Sequence, residues 1–338
     1  MANPLAGHTN SYHTYSHDEA LQGIAEAGYS AVELSAVPGW TEHVDLDADQ
    51  GELRRKLEGY GLEPVSLSAH SDLTTADGLA HGIKAVRWAA DYGIPIVNTA
   101  VGGHQSADEN EAAFLANIGA MADEAERAGI AIGLEIHGDI MASGAVTLPL
   151  LEKIGRESVG INYDTANVVY YSGDTAVEDL PKVVDKLVHV HLKESKGGKG
   201  VWDFGEIGTG DVDFAGVLRI LGDAGYDGPY SVEVEFSGEP WPPLAEVNAP
   251  ARAIEEDLDL HVARPVEVPL EQEAIVPEGS GRLAARAAEE LPQVRRDSRH
   301  VHALAASTRD GLDQHGVADR VRFPRERTIG LRATVAAR

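Results

Sequence analysis

The feature that most constrains this chain is a beat. Short apolar stretches of extended character alternate with amphipathic helical stretches eight times in about 260 residues. The extended stretches are read at 5–10, 31–34, 64–68, 94–99, 130–136, 159–163, 187–192 and 230–236. The first helix is announced by Ser16 and Glu19, a capping-box pair, and runs to Ala27 before Gly28. Others follow at 47–60, 75–92, 107–128, 148–154, 176–186, 214–224 and 244–260. In 75–92 the residues Leu79, Ile83, Val86 and Ala90 share one face, and Gly61 and Gly93 close their helices. Strict alternation predicts an α/β fold with a parallel sheet, and eight repeats at this length predict a closed (β/α)8 barrel. An open doubly wound sheet would carry a phosphate-binding GxGxxG after its first strand, and none is there.

The beat fades after Arg264. Residues 264–338 hold 13 Arg, no Lys and 11 acids, whereas the first 263 carry a net charge of about −29 within a total of −27. Two units are therefore expected: a barrel over 1–263 and a weakly ordered, Arg-containing C-terminal extension over 264–338.

So acidic a barrel argues against nucleic acid, whose binding rests on Lys and Arg neutralising phosphates. No stretch approaches the roughly 18 consecutive apolar residues of a membrane span. The start MANPLAGHTN lacks the basic and apolar regions of a signal peptide, and there is no cysteine; both fit a cytoplasmic protein and leave no thiolate for metal binding.

In a (β/α)8 barrel the chemistry sits at the C-terminal ends of the strands. The polar residues there are His70 after the third strand, Asn98 and His104 near the fourth, and Glu135 and His137 on the fifth. They continue with Asp164 on the sixth, His189, His191 and Lys193 on the seventh, and Glu233 and Glu235 on the eighth. Three carboxylates converging in a barrel mouth repel one another and lose solvation unless a cation neutralises them, so Glu135, Asp164, His191 and Glu233 together ask for a divalent ion. Carboxylate and imidazole without sulfur suit Mn²⁺ or Mg²⁺ with open positions. The bland alternative is an ion-paired network around Lys193.

The segments GYSAVELS, GLEIHG, VGINYDTAN, VHVHLKES and IGTGDVDFAGVLRILGDAGYDGPYSVEVE, in this order, resemble the sugar phosphate isomerase and epimerase superfamily of xylose isomerase-like TIM barrels. The resemblance covers about residues 5 to 260. It implies a metal held by Glu135, Asp164, His191 and Glu233, with His191 preferred to His189 and Glu233 to Glu235. It also implies a reaction that begins with proton abstraction beside a carbonyl and passes through an enediolate, with Glu135, Glu233 and His137 as the catalytic candidates and His70, His104 and Lys193 as substrate contacts. For His137 an equal reading is that it orients Glu135. The chain lacks the Arg that family epimerases of free ketoses carry just after the seventh strand; Ser195 and Lys196 stand there. The expected function is isomerase or epimerase on an oxo-sugar or polyol. The alternatives are a lyase on an oxidised sugar, such as an inosose dehydratase or a C-glycoside deglycosidase acting on a 3-oxo-glycoside, and a sugar-binding barrel without catalysis. Expected partners are a small sugar or glycoside, with a homo-oligomer or a small partner subunit.

Overall fold

A computed structural model of the protein describes residues 3–102, 107–236 and 247. Eight parallel strands close into a barrel in chain order: β1 (Leu5–His8), β2 (Ala31–Ser35), β3 (Glu63–Ser68), β4 (Ile96–Thr99), β5 (Ala131–Glu135), β6 (Val159–Asp164), β7 (Leu187–Leu192) and β8 (Tyr230–Val232). β8 pairs with β1 to complete the ring. The expected (β/α)8 barrel is the observed fold. Helices α1 (His17–Glu26), α2 (Gln50–Tyr60), α3 (Ala76–Tyr92), α4 (Ala107–Ala128), α5 (Gly144–Ile154), α6 (Asn167–Ser172), α7 (Ala176–Asp179) and α8 (Phe214–Asp223) fill the connections. The extension from Arg264, and most of the helix expected over 244–260, lie outside the described residues.

Local chemistry sets the boundaries. Ser16 and Glu19 form the predicted capping box: Ser16 Oγ accepts from the Glu19 N–H, and Glu19 Oε2 accepts from the Ser16 N–H at 2.9 Å. Gly61 and Gly93 end α2 and α3 at φ 68° and 96°, left-handed values that glycine adopts without strain.

Three expectations are corrected. The helix expected over 176–186 is only the single turn of α7 followed by two 3₁₀ turns, Leu180–Lys182 and Val184–Lys186, because Pro181 lacks the N–H that a continuing helix needs. A helix not expected, α6, follows β6 directly. The first and eighth strands are shorter than 5–10 and 230–236: after His8 the chain turns into a 3₁₀ helix, Thr9–Tyr12, and Glu233 and Glu235 stand just beyond β8.

Residues alternate across each strand. Val32, Leu34, Leu67, Val97, Ile132 and Leu134 pack outward in one apolar cluster, and Ile161, Tyr163, Val190, Leu192 and Val232 in a second. Their neighbours meet across the interior and are polar: Ser66 bonds His189, Asn98 bonds Glu33, and His191 bonds Glu33. A barrel interior is usually filled by branched apolar side chains. Here it is wired by hydrogen bonds. Two register shifts, at Val32/Glu33 and Ile161/Asn162, fall beside this network, as bulges that re-aim side chains often do.

Candidate metal and catalytic site

The register brings the expected ligands side by side. Asp164 on β6 pairs with His191 on β7, and Glu135 on β5 pairs with Asn162 on β6. One ligand atom each from Glu135, Asp164, His191 and Glu233 lies within 4.8 Å of all the others, and all four residues are buried. His191 Nδ1 is 3.4 Å from Glu233 Oε2, 3.6 Å from Glu135 Oε2 and 3.9 Å from Asp164 Oδ2.

Each carboxylate is anchored by one oxygen. Asp164 Oδ1 accepts from the Ala166 and Asn167 N–H groups, both at 2.8 Å. Glu135 Oε1 accepts from Asn167 Nδ2 at 3.0 Å, and Glu233 Oε1 from Asn10 Nδ2 at 2.7 Å. Asp164 Oδ2 and Glu135 Oε2, facing the cluster, receive no hydrogen bond. A buried carboxylate oxygen without a donor is costly. Anchored on one side and without a donor on the other, Asp164 and Glu135 fit a divalent cation, while Glu233 Oε2 accepts from Lys193 Nζ at 3.4 Å.

The electrostatics agree. Burial raises the Asp164 carboxyl to about 7, against the pull of Lys193 and with further push from Glu135 and Glu233. Burial would also neutralise His191, but Glu33, Glu135 and Glu233 hold it well above the usual imidazole range. Burial opposes the charge on Glu233 as well, and Lys193 and His191 overcome it, keeping the group well below the usual carboxylate range. The protein alone therefore calls protons onto His191 and Asp164. A cation would supply the same positive charge.

Lys193 is buried with Nζ 2.5 Å from Glu235 Oε2, 3.4 Å from Glu233 Oε2 and 3.8 Å from Asp164 Oδ2. The ion-paired network weighed as the alternative thus exists, and it shares Asp164 and Glu233 with the four-residue cluster. His70 Nε2 is 3.0 Å from Glu135 Oε2, off the line of a hydrogen bond. His137, with its side chain 50% exposed, has Nδ1 3.7 Å from Glu135 Oε1 and Nε2 3.3 Å from the Tyr171 hydroxyl. Partial desolvation in the crowded mouth works against its charge, yet Glu135 raises it above the ordinary value. His104 lies outside the described residues.

The two histidines of β7 separate cleanly. His189 Nδ1 donates to Asn162 Oδ1 at 2.9 Å, and its Nε2 stands 3.1 Å from the hydroxyls of Ser66 and Ser231. Burial pushes it down to about 3, so it is neutral, with both nitrogens satisfied. His191, one step nearer the mouth, faces the carboxylates.

Sequence reasoning missed His8, Asn10, Glu33 and Trp40. For His8 and Glu33 the signal was present: each is a polar residue near the end of an apolar strand, and the alternation in AVELS turns Glu33 away from Val32 and Leu34. Asn10 and Trp40 sit in connections, where no periodicity marks them; Asn10 Oδ1 accepts from Trp40 Nε1 at 3.0 Å. Above the cluster a cavity of about 230 Å³ is lined by His8, His70, His137, Lys193, Trp40 and Trp202, among others.

Among known proteins, the family model described as xylose isomerase-like TIM barrel matches residues 21–261. The L-ribulose 3-epimerase of Methylomonas sp. (strain DH-1) is 30% identical over 240 residues, which is 65% of this chain and 79% of that protein. The L-ribulose-5-phosphate 3-epimerase UlaE of Salmonella typhi is 30% identical over 201 residues, 56% of this chain and 69% of its own length. A crystal structure of a Methylomonas sp. D-allulose 3-epimerase in complex with D-allulose superposes with a TM-score of 0.58 at 25% identity, covering 75% of this chain and 96% of that one.

Proposed function

The chain belongs to the xylose isomerase-like TIM barrel family, and from that membership we propose that it is a divalent-metal-dependent epimerase or isomerase of an unphosphorylated oxo-sugar. The observation that carries this reading is the convergence of Glu135, Asp164, His191 and Glu233, with two oxygens left without donors. These four residues would hold Mn²⁺ or Mg²⁺. When bound, such an ion polarises a carbonyl as a Lewis acid and so favours an enediolate.

The chain's own groups supply the proton chemistry. Glu135 and Glu233 each turn one oxygen to the cluster and rest the other on a neutral amide, from Asn167 and Asn10. One takes the proton from the carbon beside the carbonyl, and the other returns one. Return to the opposite face of the same carbon inverts it, and return to the neighbouring carbon isomerises. His70 and His137 flank Glu135, and His137 joins it to the half-open side of the mouth. We assign His70 and Lys193 to substrate hydroxyls.

The absence of phosphate from the substrate follows from charge. Lys193 is the only Lys or Arg among the described residues lining the cavity, and three carboxylates already hold it. A phosphate would face Glu135, Glu233 and Glu235 with little compensation. The relative named for a free pentulose therefore bears more closely on this chain than the one named for a 5-phosphate.

The test is solvent exchange. Mn²⁺-loaded protein incubated in D₂O with L-ribulose, D-allulose and other ketoses should place deuterium on the carbon beside the carbonyl and yield the C3 epimer, followed by NMR. Metal-loaded protein that exchanges no ketose proton would defeat the reading. The 5-phosphate of an accepted ketose should be turned over about 100-fold less efficiently.

A second reading is favoured by Trp40 and Trp202, which stand 47% and 46% exposed and line the same cavity. Two indoles at the mouth offer stacking surface for a group larger than a monosaccharide. On that reading the same proton abstraction expels an aglycone from a 3-oxo-glycoside, and release of free aglycone, with or without a small partner protein, identifies it.

A further inference from the structure

We propose that Glu33 is a positioning residue that fixes the tautomer of His191, held in place by Asn98 and by the room that Gly133 leaves, an inference that rests on the metal site proposed above. The line crosses the barrel through β5, β4, β2 and β7. Glu33 Oε1 accepts from Asn98 Nδ2 at 2.7 Å, and Glu33 Oε2 accepts from His191 Nε2 at 2.9 Å. In the neutral ring that a bound ion requires, a proton fixed on Nε2 leaves one lone pair. That pair is on Nδ1, the nitrogen 3.4 to 3.9 Å from the oxygens of Glu233, Glu135 and Asp164.

Three observations favour this over an ordinary core ion pair. Glu33 is wholly buried and does not line the cavity, so it meets no substrate. Its contact is selective: His189 Nε2 is 3.6 Å away against 2.9 Å for His191, and His189 is already satisfied by Asn162, Ser66 and Ser231. A Cβ on Gly133 would overlap Asn98 Oδ1, so the glycine of GLEIHGD is what lets Asn98 lie across the barrel to Glu33. Asn162 Nδ2, at 3.5 and 3.3 Å, is about equally far from both nitrogens of His191 and so does not choose between them, whereas Glu33 reaches Nε2 at 2.9 Å. A carboxylate on the remote nitrogen of a ligating histidine orients the ring and strengthens the lone pair it offers.

One rival shares the same atoms. His8, Glu33 and His191 also bring ligand atoms within 4.8 Å of one another, and both nitrogens of His8 are buried without a hydrogen bond. A second ion there would make Glu33 a ligand. The experiment measures Mn²⁺ stoichiometry and affinity for the full chain and for Glu33→Gln, with circular dichroism to establish folding. One Mn²⁺ per chain and an affinity about 10 to 100-fold weaker in the variant are expected. Independently of the folding of Glu33→Gln, the ¹H–¹⁵N correlation of the Mg²⁺-loaded wild-type protein, assigned by the signal lost in His191→Gln, should show the proton on Nε2. Glu33→Gln binding Mn²⁺ within about two-fold of wild type, or a proton on Nδ1, overturns the inference and leaves the proposed function standing. Two ions per wild-type chain falling to one in the variant overturns it in favour of a ligand role. No ion bound by the wild-type chain overturns the proposed function and this inference together.

Discussion

Glu233 ties three parts of the site together: Asn10 holds one oxygen, while His191 and Lys193 stand 3.4 Å from the other. Glu233→Gln keeps the shape and removes the charge. It should lower Mn²⁺ affinity at least about 100-fold and abolish solvent exchange, measured by equilibrium dialysis and by deuterium uptake. His189 tests the opposite case. His189→Leu leaves Asn162, Ser66 and Ser231 without their partner in a sealed interior and should destabilise the protein by about 2 to 4 kcal/mol in urea unfolding. Its metal stoichiometry should stay at the wild-type value. Loss of the ion with little loss of stability would show that the two histidines of β7 had been assigned the wrong way round.

At the scale of elements, the informative helix is α5. It begins at Gly144, four residues before the expected start, because Ser143 caps it by accepting from the Val146 N–H and Asp179 on α7 reaches across to its first turn. Asp179 Oδ2 accepts from the Gly144 N–H at 2.6 Å and from the Tyr163 hydroxyl at 3.2 Å, and Oδ1 accepts from the Ala145 N–H at 3.2 Å. A carboxylate there satisfies free N–H groups and complements the helix dipole. Burial, together with the Asp179 charge, pushes the Tyr163 hydroxyl well above its usual range. Asp179→Ala strands these donors out of water and should cost about 2 to 4 kcal/mol of stability. Ser16→Ala removes only an exposed cap and should cost about 1 kcal/mol. A thermal-melt series in which the two are equal would refute the distinction between buried and exposed capping.

For the whole molecule, pH stability offers a test remote from the barrel mouth. His17 stacks on His43 with ring centroids 5.5 Å apart, and burial, then the charges of His43 and Lys56, push it down from 6.5 to about 4. The unfolded chain therefore takes up this proton first as pH falls. The stability that neutral His17 contributes is complete above about 6.5 and is lost progressively toward pH 4. His17→Gln should flatten the fall of the urea midpoint across that window. Parallel curves for variant and wild type would exclude His17 as the source. Charge makes a further whole-molecule prediction. A net of −27 repels itself, so the melting temperature should rise between low and physiological ionic strength.

The barrel was legible in the sequence because its cause is periodic. Alternating strands and helices with glycine and Ser16-type boundaries are local signals, and a ring of eight is the arrangement that buries them all. The convergence of Glu135, Asp164, His191 and Glu233 was legible for a related reason: topology brings strand ends together, so chemistry at successive ends can be added up without coordinates. What escaped was whatever depends on depth or direction. The sequence ranked His191 above His189 only by resemblance, while tertiary structure separated them by giving one neutral partners and the other carboxylates. Glu33 lay in plain view within AVELS, but its meaning depends on Asn98 and His191, 65 and 158 residues away. Periodicity fixes which face a side chain takes. Only the closed barrel decides what waits for it on the other side, because hydrogen bonds across the interior join residues that share no local pattern.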